Sequence, residues 1–295
     1  MLVTLCFAVL LVGRAAAGRP EVGPIAPPAH VRTRSATSPI YPPPFSPVVT
    51  AQSIIGTDDR QRVTDTTNAP WRAIAWVGLY GRDGNLEGNC TATFIGPDTL
   101  VTAAHCLWTA EDGFVSDMVV VPGKDGANEP FGHEFAANWW VPQEYIDARG
   151  NSDHDWAIVE MESKALGQKT GWFRVASLAT ATLARDGFEP AVFGYPTDQP
   201  PGTLWGAFAD HFMSVGDEVL TYDIDTSAGE SGAPVFSLNR GQVQVGDLIG
   251  IHRFGNPDAG PNGGARVDNR LLADIVEACQ LMGCTIEAYS EPDSP

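Results

Sequence analysis

The sequence predicts an all-β fold in which two antiparallel β-barrels are followed by a C-terminal α-helix. Three observations support this prediction. Gly and Pro are frequent, with 31 and 23 among 295 residues, which is typical of a chain with many turns. Short apolar and β-branched runs recur, and clusters of Gly, Pro, Asn and Asp separate them. Helical periodicity is clear only near the C-terminus.

The runs and the terminal helix give the order of the elements. The predicted strands are residues 73–80, 91–95, 118–121, 156–161, 191–195, 219–224, 233–236 and 243–252. The helix is predicted to take Asn269 as its N-cap. Its apolar face consists of Leu271, Leu272, Ile275, Val276 and Cys279. The join between the two barrels is predicted near residues 162–175.

The first 52 residues are unlike the rest of the chain. Residues 2–12 are apolar and a run of three alanines follows them, so residues 1–17 are predicted to be a secretory signal peptide. Residues 18–52 are rich in proline and are predicted to be an extended propeptide, with a flexible linker as the alternative. The folded part is then divided into an N-terminal barrel, residues 53–165, and a C-terminal barrel with the helix and an acidic tail, residues 166–295.

The charge of the chain excludes some classes of partner. The formal net charge is −18, which repels nucleic acid and anionic membranes. No segment after the leader is apolar enough to cross a bilayer. We therefore expect a secreted, extracellular protein, a monomer that binds neither nucleic acid nor membranes.

The cysteines predict two disulfides. Loss of the leader removes one of the five cysteines and leaves an even number, as is usual in exported proteins. The predicted pairs are Cys90–Cys106 and Cys279–Cys284. A zinc site is the alternative, but the close Cys-x-x-Cys spacing typical of such sites is missing. No metal or cofactor is predicted.

Three widely separated residues predict a catalytic triad. Ser231 stands in a Gly-Glu-Ser-Gly segment and is the candidate nucleophile, which needs a neighbouring base because a serine hydroxyl is a weak nucleophile at neutral pH. His105 is the candidate base, since imidazole titrates near neutrality. Asp155 is the candidate group that orients the imidazole. Asp153 is the rival acid, and we prefer Asp155 because an apolar strand follows it directly.

The glycines beside the nucleophile predict an oxyanion hole. A turn at this point allows the backbone amides of Gly229 and Ser231 to point at one spot, where they would stabilise the negatively charged oxygen of a tetrahedral intermediate.

The order of the triad, His then Asp then Ser, resembles that of the chymotrypsin-type serine proteases. Within that group the chain resembles the bacterial glutamyl endopeptidases over residues 53–281, in the segment 53–67, in Gly-Tyr-Pro at 194–196 and in Ile-Gly-Ile-His at 249–252. The resemblance implies two chymotrypsin-type barrels and a serine endopeptidase that acts on polypeptides through an acyl-enzyme. It also implies cleavage after Glu, less readily after Asp, and maturation between residues 52 and 53.

The resemblance further implies a pocket for an acidic side chain. By position, the pocket consists of His252, Thr226 and the amine that maturation would create at Ser53. The two departures from the family are Glu230, where relatives carry Asn or Gln, and Arg253. An inward Glu230 would pair with the new N-terminus, whereas Arg253 would either strengthen the selection of acids or face solvent.

Other functions are weaker alternatives. The Gly-Glu-Ser-Gly-Ala segment nearly matches the nucleophile elbow of α/β-hydrolase esterases. That fold needs an acid and a base after the serine, and only Asp247 and His252 would serve, in a chain that lacks alternating strands and helices. A non-catalytic binding protein on a protease scaffold and a protease of different specificity are the remaining alternatives.

Overall fold

The computed structural model of the protein describes residues 32–33, 53–237, 246–255 and 260–292. The predicted signal peptide lies outside the described residues, and so does the predicted propeptide except for residues 32 and 33. No helix in the described part combines the length and the apolar character that crossing a bilayer requires.

Short strands make up most of the regular structure. In chain order they are β1 (Arg32–Thr33), β2 (Gln61–Arg62), β3 (Ile74–Tyr80), β4 (Leu86–Phe94), β5 (Thr99–Thr102), β6 (Trp108–Thr109), β7 (Gly113–Phe114), β8 (Asp117–Pro122), β9 (Glu134–Trp140), β10 (Ala157–Met161), β11 (Arg174–Ser177), β12 (Ala191–Gly194), β13 (Trp205–Phe208), β14 (Ser214–Val215), β15 (Val219–Tyr222), β16 (Pro234–Ser237), β17 (Asp247–Phe254), β18 (Asn262–Arg266) and β19 (Ala288–Ser290). The α-helices are α1 (Gln143–Asp147), α2 (Ala165–Thr170), α3 (Thr180–Leu183) and α4 (Asn269–Met282). Short 3₁₀ helices lie at Trp71–Ala73 and Ala104–Cys106.

The N-terminal sheet closes into a barrel. Its strands follow the order β9-β10-β5-β4-β3-β8, and β8 pairs with β9 to complete the ring. All of these pairs are antiparallel, and the interior contains fully buried side chains such as Leu79, Phe94 and Trp139. The dipeptide β1, from the predicted propeptide, pairs antiparallel with β9 at Asn138 and Trp139.

The C-terminal sheet remains open among the described strands. Its order is β14-β15-β18-β17-β16-β12-β13-β2, and β11 joins it through parallel pairing with β17 and β19. The strand β2 precedes the first barrel in the chain yet pairs with β13 of this second sheet. The segment that contains β2 therefore lies along the sheet of the C-terminal half of the molecule.

The predicted all-β fold with a terminal helix is confirmed, with one difference at the helix start. The carboxylate of Asp268 accepts a hydrogen bond from the backbone N–H of Leu271 at 2.7 Å, so Asp268 is the N-cap. Asn269, the predicted cap, is the first helical residue. Both residue types cap helices well, and composition alone does not separate two neighbours of similar capping strength.

Candidate active site

His105 and Asp155 are brought together by a pair of neighbouring strands. His105 lies in the 3₁₀ helix that follows β5, and Asp155 lies two residues before β10. The two strands pair antiparallel, with Thr102 opposite Ala157. One carboxylate oxygen of Asp155 accepts from the backbone N–H of His105 at 3.0 Å, and the other lies 2.8 Å from its Nδ1. Both side chains are largely buried.

This contact keeps Asp155 ionised and selects one tautomer of the His105 imidazole. Burial raises the pKa of Asp155, but the charge of His105 and the hydrogen bonds from it outweigh that effect, so the pKa is lowered overall. Asp155 is thus a carboxylate at neutral pH, and it favours the tautomer of His105 that carries its proton on Nδ1. The buried Nε2 of His105 has no hydrogen-bond partner in the described part of the chain, which leaves it able to accept a proton.

The rival acid binds elsewhere. Asp153 makes a short ion pair with the guanidinium of Arg253, which also donates to the carbonyl of Ser152 at 3.0 Å. Arg253 is 8% exposed and so does not face solvent. It instead ties the end of β17 to the loop before Asp155.

The loop that carries Ser231 is held by the first barrel. The backbone N–H of Thr91 donates to the carbonyl of Ser231 at 2.9 Å, and its hydroxyl donates to the carbonyl of Gly229 at 2.9 Å. Gly232 has a φ of +84° and lies so close to β4 that a Cβ would stand 2.2 Å from the Thr91 carbonyl oxygen. Only glycine fits there, and the nucleophile loop is consequently fixed against the barrel that carries His105.

A disulfide joins these same parts. The structure contains both predicted pairs, Cys90–Cys106 and Cys279–Cys284. Cys106 follows His105 directly, and its sulfur lies 3.8 Å from the carbonyl oxygen of Ser231. Together with His105, Cys90 and Cys106 place three potential metal-ligating atoms within 4.8 Å of one another. The two sulfurs are bonded to each other, however, and cannot serve as thiolate ligands.

The turn around Ser231 presents free amides. Gly229 has a φ of +93°, and the turn is closed by hydrogen bonds from Glu230 N to the Ser227 carbonyl at 3.1 Å and from Ala233 N to the Glu230 carbonyl at 2.8 Å. The N–H groups of Gly229 and Ser231 donate to no acceptor within the described residues. They are therefore available to an oxygen of a bound substrate.

Ser53, the predicted mature N-terminus, lies beside Thr226. The two residues form an isolated bridge, with Ser53 N donating to the Thr226 carbonyl at 3.0 Å. The side-chain amide of Asn262 donates to the Ser53 carbonyl at 2.9 Å, and the carboxylate of Asp225 accepts from Ile55 N at 2.6 Å. The segment after residue 52 is thereby fixed next to the nucleophile loop. Asn262 and Asp225 were not predicted, because their partners lie far away in the chain.

His252 is a buried, neutral imidazole. It lies on β17, and its Nδ1 is 2.7 Å from the hydroxyl of Tyr222. Burial lowers the pKa of His252 to about 3, the nearby charge of His105 adds to this effect, and a hydrogen bond with the Gly263 backbone opposes it. Burial also raises the pKa of the Tyr222 phenol, which therefore keeps its proton.

Glu230 points into the protein, and its partner is Arg60. The carboxylate oxygen Oε2 accepts from Arg60 at 3.2 Å and from the backbone N–H of Ser227 at 2.7 Å. The predicted pairing of an inward Glu230 with a new N-terminus concerns the processed protein, and in the unprocessed chain Arg60 occupies this position. Burial raises the pKa of Glu230 to about 8, because the neighbouring Asp198 opposes its ionisation and Arg60 offsets the burial only in part.

This raised pKa predicts an alkaline loss of stability. Glu230 has an ordinary pKa of 4.5 and one of about 8 in the folded protein, so between these values only the folded state keeps the proton. Its contribution to the free energy of unfolding is complete below pH 4.5 and is lost as the pH rises to about 8, by roughly 2–5 kcal/mol. Glu230→Gln should remove this slope.

The measurement is urea unfolding across that pH range. Both proteins should carry Ser231→Ala, so that no reaction of Ser231 interferes, and they should differ only above pH 4.5. Parallel pH curves for the two proteins would show that the pKa of Glu230 is unshifted.

Comparisons with known proteins agree with this geometry. The sequence profile of the family described as Trypsin matches residues 61–271. A protein of Bacillus licheniformis named glutamyl endopeptidase is 35% identical over 186 residues, which are 63% of this chain and 55% of that protein. A protein of Bacillus subtilis (strain 168) named extracellular metalloprotease is 29% identical over 224 residues, which are 76% of this chain and 68% of that protein. The chain thus spans between half and about two-thirds of the length of these relatives.

One solved structure is similar over almost its whole length. It is described as a Glu endopeptidase in complex with MPD, and it is superposed with a TM-score of 0.67 at 25% identity. The superposition covers 76% of this chain and 98% of that one.

Proposed function

The chain belongs to the trypsin family of chymotrypsin-fold serine proteases, and from this premise we propose that it is an exported endopeptidase that cleaves polypeptides after glutamate, less readily after aspartate. The observation that carries the proposal is the coupling of His105 to Asp155 through two hydrogen bonds, with Nε2 left without a partner. The contact with Asp155 fixes the imidazole with its proton on Nδ1, which a histidine that acts as general base for serine requires.

The catalytic steps follow from these positions. Ser231 Oγ attacks the carbonyl carbon of the scissile bond while His105 Nε2 takes its proton, and Asp155 stabilises the resulting imidazolium. The amides of Gly229 and Ser231 stabilise the negative charge on the carbonyl oxygen. His105 then gives the proton to the departing amine, which leaves an acyl-enzyme. A water molecule that loses its proton to His105 releases the acyl group and restores the serine.

Selection of glutamate is assigned to Ser53, Thr226 and His252. All three are at most 3% exposed, so a carboxylate bound among them would lose its water and would need strong donors in return. In the unprocessed chain, the backbone N–H of Ser53 is an amide that donates to the Thr226 carbonyl at 3.0 Å. Cleavage after residue 52 would convert that amide into an ammonium group at the same place. A bound carboxylate would also favour the protonated form of His252.

The pocket is tested by His252→Gln, which keeps a polar side chain but cannot take up a proton. The kcat/KM for a peptide with Glu at P1 should fall about 50-fold, since hydrogen bonds to charged groups contribute about 1.5–3 kcal/mol. The matched control is His211→Gln, because His211 lies on the surface. In His252→Gln, the rate at which a small fluorophosphonate labels Ser231 should fall much less than kcat/KM for the Glu-P1 peptide. If cleavage after Glu keeps its rate in His252→Gln, the pocket assignment is wrong.

A further inference from the structure

The guanidinium of Arg60 is the most fully engaged cation in the described part of the site. Its side chain is fully buried, and three carboxylates surround it, from Asp58, Asp198 and Glu230. Its donors make five hydrogen bonds: two to Asp58 at 3.0 and 2.9 Å, two to Asp198 at 3.2 and 2.7 Å, and one to Glu230 at 3.2 Å. A guanidinium has five N–H donors, so the set is complete.

These bonds lead directly to the nucleophile loop. Glu230 precedes Ser231, and the oxygen that accepts from Arg60 also accepts from the backbone N–H of Ser227. The carboxylate therefore spans the turn that contains Gly229 and holds its two ends together. Asp198 adds a second anchor, because Thr197 beside it donates to the Ala228 carbonyl at 2.7 Å.

Because of its position in the chain, Arg60 can contact Glu230 before the precursor is cleaved. A buried carboxyl group needs hydrogen-bond donors in either protonation state, and an N-terminal ammonium would supply them only after a precursor has been cut. Arg60 lies seven residues after Ser53 and is present whether or not the chain is processed. The segment that carries it is also held in the full-length chain, where Asp225 accepts from both Ile55 N and Asp59 N.

We propose that Arg60 and Glu230 are positioning residues that order the nucleophile loop before maturation, so that cleavage after residue 52 completes the acid-binding pocket without creating the oxyanion hole. The inference rests on the proposed function, since it assumes Ser231 as the nucleophile and Ser53 as the mature N-terminus. Under this proposal, the loop that carries Ser231 is ordered before cleavage, and the new ammonium group serves only to select the substrate.

The first test compares the precursor with the processed protein. The precursor is kept intact by Gln52→Pro, verified by mass, and the processed protein is made by cleaving the full chain before Ser53. Labelling of Ser231 by a small fluorophosphonate should proceed at rates within about tenfold of each other, whereas an unformed oxyanion hole costs about 100-fold or more. In contrast, kcat/KM for a Glu-P1 peptide should rise more than about tenfold on processing, because only then is the ammonium present.

Each result separates the two proposals. A rise in labelling beyond about tenfold on processing would overturn the inference, since the loop would then depend on the new amine. Equal labelling of the precursor and the processed protein, without a preference for Glu at P1, would contradict the pocket assignment. It would still agree with the ordering of the loop by Arg60. Labelling of neither form would overturn the proposed function, and the inference with it.

The second test removes the cation. In Arg60→Met, labelling and kcat should fall about 100-fold in both forms with little change in KM, and Arg60→Lys should recover part of the loss because it restores a charge with fewer donors. The matched control is Arg62→Met. In the unmodified protein the Arg62 guanidinium makes an exposed ion pair with Asp125. This control should label at the unmodified rate.

Variants of the partner keep the test decisive if Arg60→Met does not fold. Glu230→Gln retains an acceptor for Ser227 N and for Arg60, so its labelling rate should stay within about tenfold of the unmodified protein. Glu230→Ala loses both bonds and should label about 100-fold more slowly. Labelling of Glu230→Ala at the unmodified rate would overturn the positioning role.

Discussion

Replacing Ser231 by alanine is expected to lower kcat for a Glu-P1 peptide by about 10⁶-fold. The Ser231 hydroxyl is the proposed nucleophile, so its loss would remove the acyl-enzyme route altogether. The oxyanion hole and the pocket would persist, and about 10³–10⁴-fold acceleration over the uncatalysed reaction would remain. The measurement is peptide hydrolysis by the processed protein, with thermal unfolding to show that the fold is kept.

The matched control for this substitution is Ser237→Ala, at the end of the strand that follows the nucleophile loop. Its side chain is partly exposed, and the proposed mechanism gives it no role. It should retain the unmodified kcat. Hydrolysis that survives Ser231→Ala would show that another residue is the nucleophile.

Replacing Asp155 by asparagine should lower kcat by about 10⁴-fold at neutral pH. The side chain keeps its size, but its amide group can donate to Nδ1 of His105 and so favour the tautomer that has its proton on Nε2. That tautomer cannot accept the proton of Ser231. The imidazolium formed during attack also loses the charge that stabilises it.

The control is Asp153→Asn, two residues earlier in the same loop. Its carboxylate pairs with Arg253 and is about half exposed, so removal of the charge should change kcat less than about threefold. The two rates, measured as functions of pH, distinguish the two acids. If Asp153→Asn loses more activity than Asp155→Asn, the assignment of the orienting acid is wrong.

Each of the eight predicted runs overlaps a strand of the structure, because the apolar and β-branched character of those strands can be read locally, but eleven of the nineteen described strands were not predicted. The strand β18, with the sequence Asn-Gly-Gly-Ala-Arg, was missed, since its glycines have low strand propensity. They are needed because the neighbouring chain is close: a Cβ on Gly264 would stand 2.5 Å from the Ile251 carbonyl oxygen. The strand β9 was missed as well, as its Phe-Ala-Ala-Asn-Trp-Trp stretch lacks β-branched residues.

The proposed triad residues could be identified from the sequence because each stands in a short segment whose residue types are typical of its proposed role. Arg60 could not, since its contact with Glu230 joins residues 170 positions apart. The sequence predicted an inward Glu230 only as one possibility. An acid beside a serine does not show by itself whether the folded protein places a buried cation next to it. Long-range ion pairs of this kind depend on topology, here on the crossing of the N-terminal segment to the second sheet.

The most direct test of the account is the P1 preference of the processed protein that begins at Ser53. It should be measured on a peptide library that carries every residue at P1, alongside Ser231→Ala. The account predicts strong cleavage after Glu, weaker cleavage after Asp, and no cleavage by Ser231→Ala above about one part in 10⁶. Cleavage that depends on Ser231 but ignores acidic residues would contradict the pocket of Ser53, Thr226 and His252. Absence of any cleavage that depends on Ser231 would contradict the catalytic assignment itself.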